Sequence, residues 1–382
     1  MKYEKRIEGN EVIFLLHGII EVRIPKKFYE ICCKRYGEEG VISFCPYKNI
    51  YNALTGRRLY YISKESSIPL IGHSAFGIID RGTNLLQVRP ITGCNLNCIF
   101  CSVDEGISRT RITDYIVDLD YLLEEFEKIA EYKRKYCKSI EAHIDGQGEP
   151  FLYPWIEELI KSLSKVADVV SIQTNGTLIT KEMIKKLDGY LDRINLSIHS
   201  LNEEKAKLLV GKKNYELQHI IEIAEEIASS NIDLLLAPVW IPGYNDDEIP
   251  KIIEFGKKIG AGKKWKAFGI QKFVRCRFGR IPKGVKRMDF KTFFKKLAAM
   301  NKDLILSPED FGIIKCRELP KKFRVGEKLK VKLEMYGRIK DEMIAIARER
   351  VIQVVDTNKK IGEYVKARIT RNKDNIYVAK EI

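Results

Sequence analysis

The chain has 382 residues, 45% of them hydrophobic, which gives enough length for two or three domains with a sizeable core and excludes a disordered polypeptide. Its longest apolar run, Val12 to Val22, carries His17 and Glu21 and falls far short of the roughly 18 residues a membrane helix needs. The formal charge of +15 is uneven: Lys263 to Lys296 holds 13 basic residues and one acid (net +12), Leu319 to Ile382 holds 17 basic and 9 acidic (net +8), and the rest is therefore at −5. Such local asymmetry is the electrostatic footprint of a polyanionic partner; a generally ion-rich thermophilic surface explains the total but not the segregation.

The first segment, residues 1–81, reads as an accessory domain. Met1 to Asn10 alternates charges and lacks the apolar core of a signal peptide, so the expected location is cytoplasmic. Short strands follow at Val12–Leu16 and Ile19–Ile24, then a helical stretch near Phe28–Arg35 and a Tyr-rich piece, Tyr47–Tyr61. From residue 82 to 317 apolar runs alternate with helical periodicity. The strand candidates are Leu85–Val88, Ile140–Ile144, Val169–Ile172, Ile194–Ile198, Leu234–Val239 and Phe268–Val274. Six strands alternating with helices predict an α/β unit with a parallel sheet, too few for a closed eight-stranded barrel, and chemistry at the carboxyl ends of the strands. From residue 318 to 382 five short β runs predict a small barrel.

Directly after the first α/β strand lie Cys94, Cys98 and Cys101, with Phe100 before the last. Three thiolates spaced four and three apart can wrap one cubane while leaving one of its four irons open to a ligand; a structural zinc site lacks its fourth ligand here. This Cys-x-x-x-Cys-x-aromatic-Cys loop following the first strand of a β/α domain resembles that of the radical S-adenosylmethionine superfamily, over roughly Leu85 to Phe273. The resemblance implies a partial (β/α)6 barrel and one [4Fe-4S] cluster held by Cys94, Cys98 and Cys101. It also implies S-adenosylmethionine chelated to the open iron, and reductive cleavage to a 5'-deoxyadenosyl radical.

Gly146-Gln147-Gly148-Glu149-Pro150 follows the second strand, where the family carries a Gly-Gly-Glu-Pro motif; Gln147 splits the glycine pair. Glycine admits close backbone approach, and Glu149 offers a carboxylate to the cofactor ammonium, so Gly148, Glu149, Pro150 and Phe100 are candidate cofactor contacts. Thr174-Asn175-Gly176 reads as a mainly structural turn. Alternation places Asn195, Ser197 and His199 on one polar face of the fourth strand. The resemblance makes Ser197, then Asn195, the ribose candidates, and Val239 and Ile241 the adenine contacts; His199 reads as a satisfied turn residue.

Cys32, Cys33 and Cys45 read as buried thiols in preference to a second metal site, and Cys137 as core. Enzymes that methylate adenine C2 in RNA share a Gly-x-Gly-Glu-Pro motif and use two extra cysteines, so Cys276, at the end of the sixth strand, and Cys316 are catalytic candidates on condition that they meet. Through Val325-Gly326-Glu327-Lys328-Leu329-Lys330-Val331, Gly337-Arg338, Ile344-Ala345-Ile346-Ala347 and Gly362-Glu363-Tyr364-Val365-Lys366-Ala367-Arg368-Ile369, the segment Phe323 to Ile382 resembles a TRAM domain, a small RNA-binding β-barrel, with Arg338, Arg348, Arg350, Lys366, Arg368, Arg371, Tyr336 and Tyr377 as candidate contacts. A structural or dimerisation barrel is the alternative. The expected function is radical modification of RNA, in the first place tRNA, by methylation, sulfur insertion or base rearrangement, with an electron donor as second partner. The alternatives are the same chemistry on a small molecule or peptide, or an iron-sulfur RNA-binding or redox-sensing protein without turnover. On this reading, removing Leu319 to Ile382 lowers RNA affinity and leaves cofactor cleavage in place.

Overall fold

The computed structural model describes residues 3–382. In the amino-terminal region β1 (Tyr3–Glu8), β2 (Glu11–Leu16) and β3 (Ile20–Pro25) form a meander. Helix α1 (Lys26–Phe44) packs on it, and β4 (Asn49–Asn52) and β5 (Arg58–Ile62) extend the sheet. Val12, Phe14 and Leu16 bury one side of β2, and Ile13 is buried on the other. Cys32 and Cys45 are disulfide-bonded to each other, with Cα atoms 5.6 Å apart, which corrects the expectation of three free thiols; Cys33 remains free. Sequence spacing could not reveal that α1 returns Cys45 beside Cys32.

The boundary expected at residue 81 falls inside a hairpin. β6 (Gly77–Asp80) pairs antiparallel with β7 (Leu85–Arg89), which belongs to the central sheet, so the last strand before the boundary is already part of the α/β unit. The exchange runs both ways: β8 (Thr113–Val117), from the α/β segment, pairs parallel with β5 and completes the amino-terminal sheet. The parallel series then proceeds through α2 (Leu119–Arg134), β9 (Glu141–Ile144), α3 (Ile156–Leu163), β10 (Val169–Thr174), α4 (Lys181–Leu187) and β11 (Arg193–Leu196). It continues through α5 (Glu203–Val210), α6 (Leu217–Ser229) and β12 (Asp233–Leu236). The sheet order β12-β11-β10-β9-β7-β6 is that of an open barrel wall whose strands, from β7 to β12, run parallel. The expected sixth strand is short: β13 (Val239–Trp240) and β14 (Gln271–Lys272), separated by α7 (Glu248–Ile259), pair only with each other, and Phe268 touches Leu236 through one bridge. Helices bury leucine and isoleucine faces against this wall, as Leu122, Phe126 and Ile129 of α2 do.

After α8 (Phe290–Met300) the chain crosses the bottom of the sheet. It enters a closed five-stranded barrel of β15 (Lys328–Tyr336), β16 (Glu342–Ala347), β17 (Arg350–Val355), β18 (Tyr364–Arg371) and β19 (Val378–Glu381), ordered β15-β16-β17-β19-β18. This barrel has its own core around Leu333, Met343, Ile352 and Tyr377. Among the described residues no helix is long and apolar enough to cross a membrane.

Candidate active site

The carboxyl ends of the wall strands converge on one cavity of about 380 Å³. The loop after β7 brings Cys94, Cys98, Phe100 and Cys101 to it, β9 brings Gly148 and Glu149, and β10 brings Gln173, Thr174 and Asn175. Ser197 and His199 follow β11, and Val239, Lys272 and Phe273 close the far side.

The cysteine loop is gripped from several directions. Asn97 and Ile99 donate backbone N–H bonds to Val210 and Leu209 at the end of α5 (2.9 and 3.0 Å), and Lys212 Nζ donates to the Asn95 carbonyl (2.8 Å). On the other side Arg280 N donates to the Cys101 carbonyl (2.8 Å), while its guanidinium donates to Asp104 Oδ1 (2.7 Å) and the Cys98 carbonyl (3.0 Å). Gly148 has φ +150°, and a Cβ there would lie 2.0 Å from the Gly93 carbonyl, so only glycine lets the β9 loop cross beneath Cys94.

The donor set fits a cationic cluster. Burial pushes the Cys94 thiol well up and the Cys98 thiol up to about 12, with the neighbouring cysteines adding to both shifts. The three thiols line one cavity, and in such a site they become thiolates when a metal centre supplies the balancing charge.

Glu149 is buried, and its carboxylate accepts from Phe151 N (3.0 Å) and Thr174 Oγ1 (2.7 Å) on one oxygen and from Asn175 N (2.8 Å) on the other. Burial raises it to about 6 against those three donors. Of about four acceptor positions on the carboxylate, three are filled, so one stays open for a ligand ammonium. The Thr174-Asn175 turn is thus the clamp that aims Glu149. Ser197 Oγ accepts from Gln173 Nε2 (2.9 Å). Burial holds His199 down at about 4; its Nδ1 accepts from Val239 N (3.1 Å) and its ring meets Phe100 edge-on at 4.8 Å, so it is a neutral spacer.

Three expected cofactor residues do not line the cavity. Pro150 is buried at the start of a short turn behind Glu149, the Asn195 amide oxygen is taken by Arg193 Nε (3.2 Å), and Ile241 is wholly buried, backing Phe100 and Phe273. The two extra cysteines are not brought together. Cys276 follows β14 near the mouth, whereas Cys316 N bonds to Gly82 O and its thiol donates to Lys133 O, at the entry to β7 and the opposite end of the strands. A two-cysteine methyl carrier is therefore not built here. Gln173 and Lys272 were missed because they lie in strands with no motif to mark them, and Asn175 belongs to the turn read as mainly structural.

Residues 88–256 match the radical SAM superfamily. The chain is 43% identical to an uncharacterised protein, MJ0103, of Methanocaldococcus jannaschii, covering 99% of this chain and 93% of that one. It is 31% identical to the GTP 3',8-cyclase of Aquifex aeolicus over 48% of this chain and 55% of the cyclase, so it spans about half of that relative. A crystal structure of Streptococcus suis SuiB bound to precursor peptide SuiA aligns with a TM-score of 0.44 and 18% identity, over 63% of this chain and 46% of SuiB. With its three-cysteine loop, its Gly-Glu-Pro turn and its open parallel wall, the chain belongs to the radical SAM superfamily of enzymes, which use a [4Fe-4S] cluster and S-adenosylmethionine.

Proposed function

We propose that this enzyme modifies RNA, tRNA in the first place, and that the carboxyl-terminal barrel is a TRAM-like RNA-binding module. The cluster, when bound and reduced by an external electron donor, supplies reductive cleavage of the sulfonium to methionine and a 5'-deoxyadenosyl radical. Around it the chain's own residues would orient the cofactor: Cys94, Cys98 and Cys101 would hold the cluster, Glu149 would accept from the ammonium, and Ser197, fixed by Gln173, would bond the ribose. Phe100 and Val239 supply apolar surface.

The observation that carries the RNA reading is a ladder of like charges. On adjacent strands Lys328 stands directly opposite Arg368 and Lys330 opposite Lys366, all exposed, with Lys332 and Tyr364 completing the face. Lys330 also lies over the Tyr364 ring at 5.4 Å. Like charges directly opposite each other destabilise a sheet, and a phosphate backbone is the ligand that offsets them. Arg348 and Arg371 are exposed too, but Arg338, Arg350 and Tyr377 are buried and leave the set of candidate contacts, because they serve the barrel's interior and its docking. The second basic segment passes over the cluster loop: Arg275 and Arg277 are exposed there, and Arg111 and Arg277 both lie against the Phe278 ring.

The rival substrate is a small anionic molecule, since the cyclase relative acts on a nucleoside triphosphate. Binding of tRNA measured against salt separates them. If about five residues meet phosphates, log affinity falls against log salt with a slope of roughly −3.5 to −4.5. Salt-independent or undetectable tRNA binding with unchanged GTP affinity would overturn the RNA reading. The modified nucleoside is then identified from total tRNA of a strain lacking the gene.

A further inference from the structure

The turn between β15 and β16 does not face solvent. Its Arg338, 2% exposed, leaves the carboxyl-terminal barrel and enters the α/β unit beside the cysteine loop. One guanidinium nitrogen donates to Asp114 Oδ1 (2.7 Å), to the Thr113 carbonyl and to Thr92 Oγ1 (3.3 Å); the other pairs with Glu105. Thr92 stands two residues before Cys94 and Glu105 four after Cys101, so a single side chain holds both ends of the cluster loop. Thr92 Oγ1 in turn donates to Asp114 (2.9 Å), and Arg57, from the amino-terminal sheet, lies 3.4 Å from both Glu105 and Asp114. Two guanidinium groups thus balance two carboxylates, all four side chains buried. The turn is further fixed by Ile112 N to the Arg338 carbonyl (2.9 Å) and Thr113 Oγ1 to the Gly337 carbonyl (2.6 Å).

The same Glu105 presents its backbone N–H to Cys101 Sγ at 3.3 Å and lines the cavity. Hydrogen bonds to ligand sulfur and nearby charge set the reduction potential of an iron-sulfur centre. We propose that Arg338 is a positioning residue for the cluster: by clamping Glu105 and Thr92 it fixes the N–H···S bond to Cys101, so that the carboxyl-terminal barrel tunes the potential at which the cluster is reduced. The inference rests on the cluster assignment. It also reverses one expectation, because removing Leu319 to Ile382 removes Arg338 and disturbs the cluster loop together with RNA binding.

The test is a redox titration of the anaerobically reconstituted full-length protein, followed by electron paramagnetic resonance, with iron counted in each sample. Arg338→Gln lowers the midpoint potential while the iron content stays at about four, and Arg338→Lys, which keeps the charge and loses the fork, recovers part of the shift. Lys133→Met breaks another buried pair, with Asp80 at the opposite end of the strands (2.8 Å), and is the control: it lowers the melting temperature and leaves the potential unchanged. Loss of iron from a folded Arg338→Gln protein would make Arg338 a residue that retains the cluster rather than one that tunes its potential, and would overturn the proposal. A wild-type potential with full iron content in Arg338→Gln overturns it. If that variant does not fold, Glu105→Gln carries the test, because the isosteric amide removes a negative charge and raises the potential; no shift there overturns the proposal equally. Wild-type protein that takes up no iron sinks the cluster assignment itself.

Discussion

The cysteine loop and the carboxyl-terminal barrel are both dense in functional side chains, yet they gave themselves away to different degrees. In the loop, chemistry and position coincide: three cysteines at fixed spacing after a buried strand suit a shared centre, and all three line one cavity. In the barrel the guides were charge and a resemblance with few fixed positions, and a strand turns alternate residues to opposite faces. Lys366 and Arg368 face outward, while Arg338 and Arg350 are buried. Composition therefore located the basic region, but place in the fold decides which of its residues are free to meet a polyanion: Lys366 and Arg368 take outward positions of β18, whereas Arg338 lies in the β15–β16 turn and Arg350 opens β17, a strand buried on both faces.

Four experiments sharpen or break this contrast. The largest effect belongs to the loop: replacing Cys94, Cys98 and Cys101 with Ala removes the roughly four irons of the reconstituted protein. About four more, lost on changing Cys32, Cys33 and Cys45, would reveal a second centre. Next comes the ladder. Charge reversal of Lys328, Lys330, Lys366 and Arg368 to Glu lowers tRNA affinity by orders of magnitude and flattens the salt slope by roughly 3 to 4, while leaving reductive cofactor cleavage intact. Unchanged affinity means that the ladder serves something other than RNA.

Glu149→Gln is expected to weaken S-adenosylmethionine binding by roughly tenfold, since a charge-assisted hydrogen bond contributes about 1.5 to 3 kcal/mol. The free-protein carboxyl titrates near 6, and the ammonium pairs with the ionised form. Cofactor affinity in the wild type therefore falls as pH drops below about 6 and is level above it; the Gln variant loses that inflection. Isothermal titration across pH 5 to 8 reads both, and an identical profile in the two proteins removes Glu149 from the cofactor site. The smallest effect is that of Ser197→Ala, a loss of one neutral hydrogen bond at about 0.5 to 1.5 kcal/mol, or a few-fold in cofactor affinity. Asn195→Ala, whose amide is already taken by Arg193, should change it less; a larger effect there would reverse the ribose assignment.

Local pattern made the five parallel strands and the barrel's strand runs legible, because burial writes a period of two or an unbroken apolar run into the chain. It could not show that β6 turns back onto β7 or that β8 crosses to the other sheet, since those are long-range pairings that no residue type marks. Likewise Gly148 and Glu149 were readable from a motif, whereas Gln173 and Glu105 act through partners distant in sequence. Cys316 shows the converse: its residue type suggested chemistry, and its place at the entry of the strands makes it part of the packing around Lys133 and Cys137.

The segment before β6 carries one last consequence. Ile71 O accepts from Val351 N (2.9 Å) and Gly72 O from Tyr377 N (3.1 Å), so residues early in the chain are sewn to its final strands. A nascent polypeptide emerges in order, and early regions usually fold while later ones are still being made. Here the cysteine loop leaves the ribosome long before Val351 and Tyr377. The contacts of Ile71 and Gly72, like those of Arg338 with Thr92 and Glu105, therefore form only after the carboxyl-terminal barrel residues have been made.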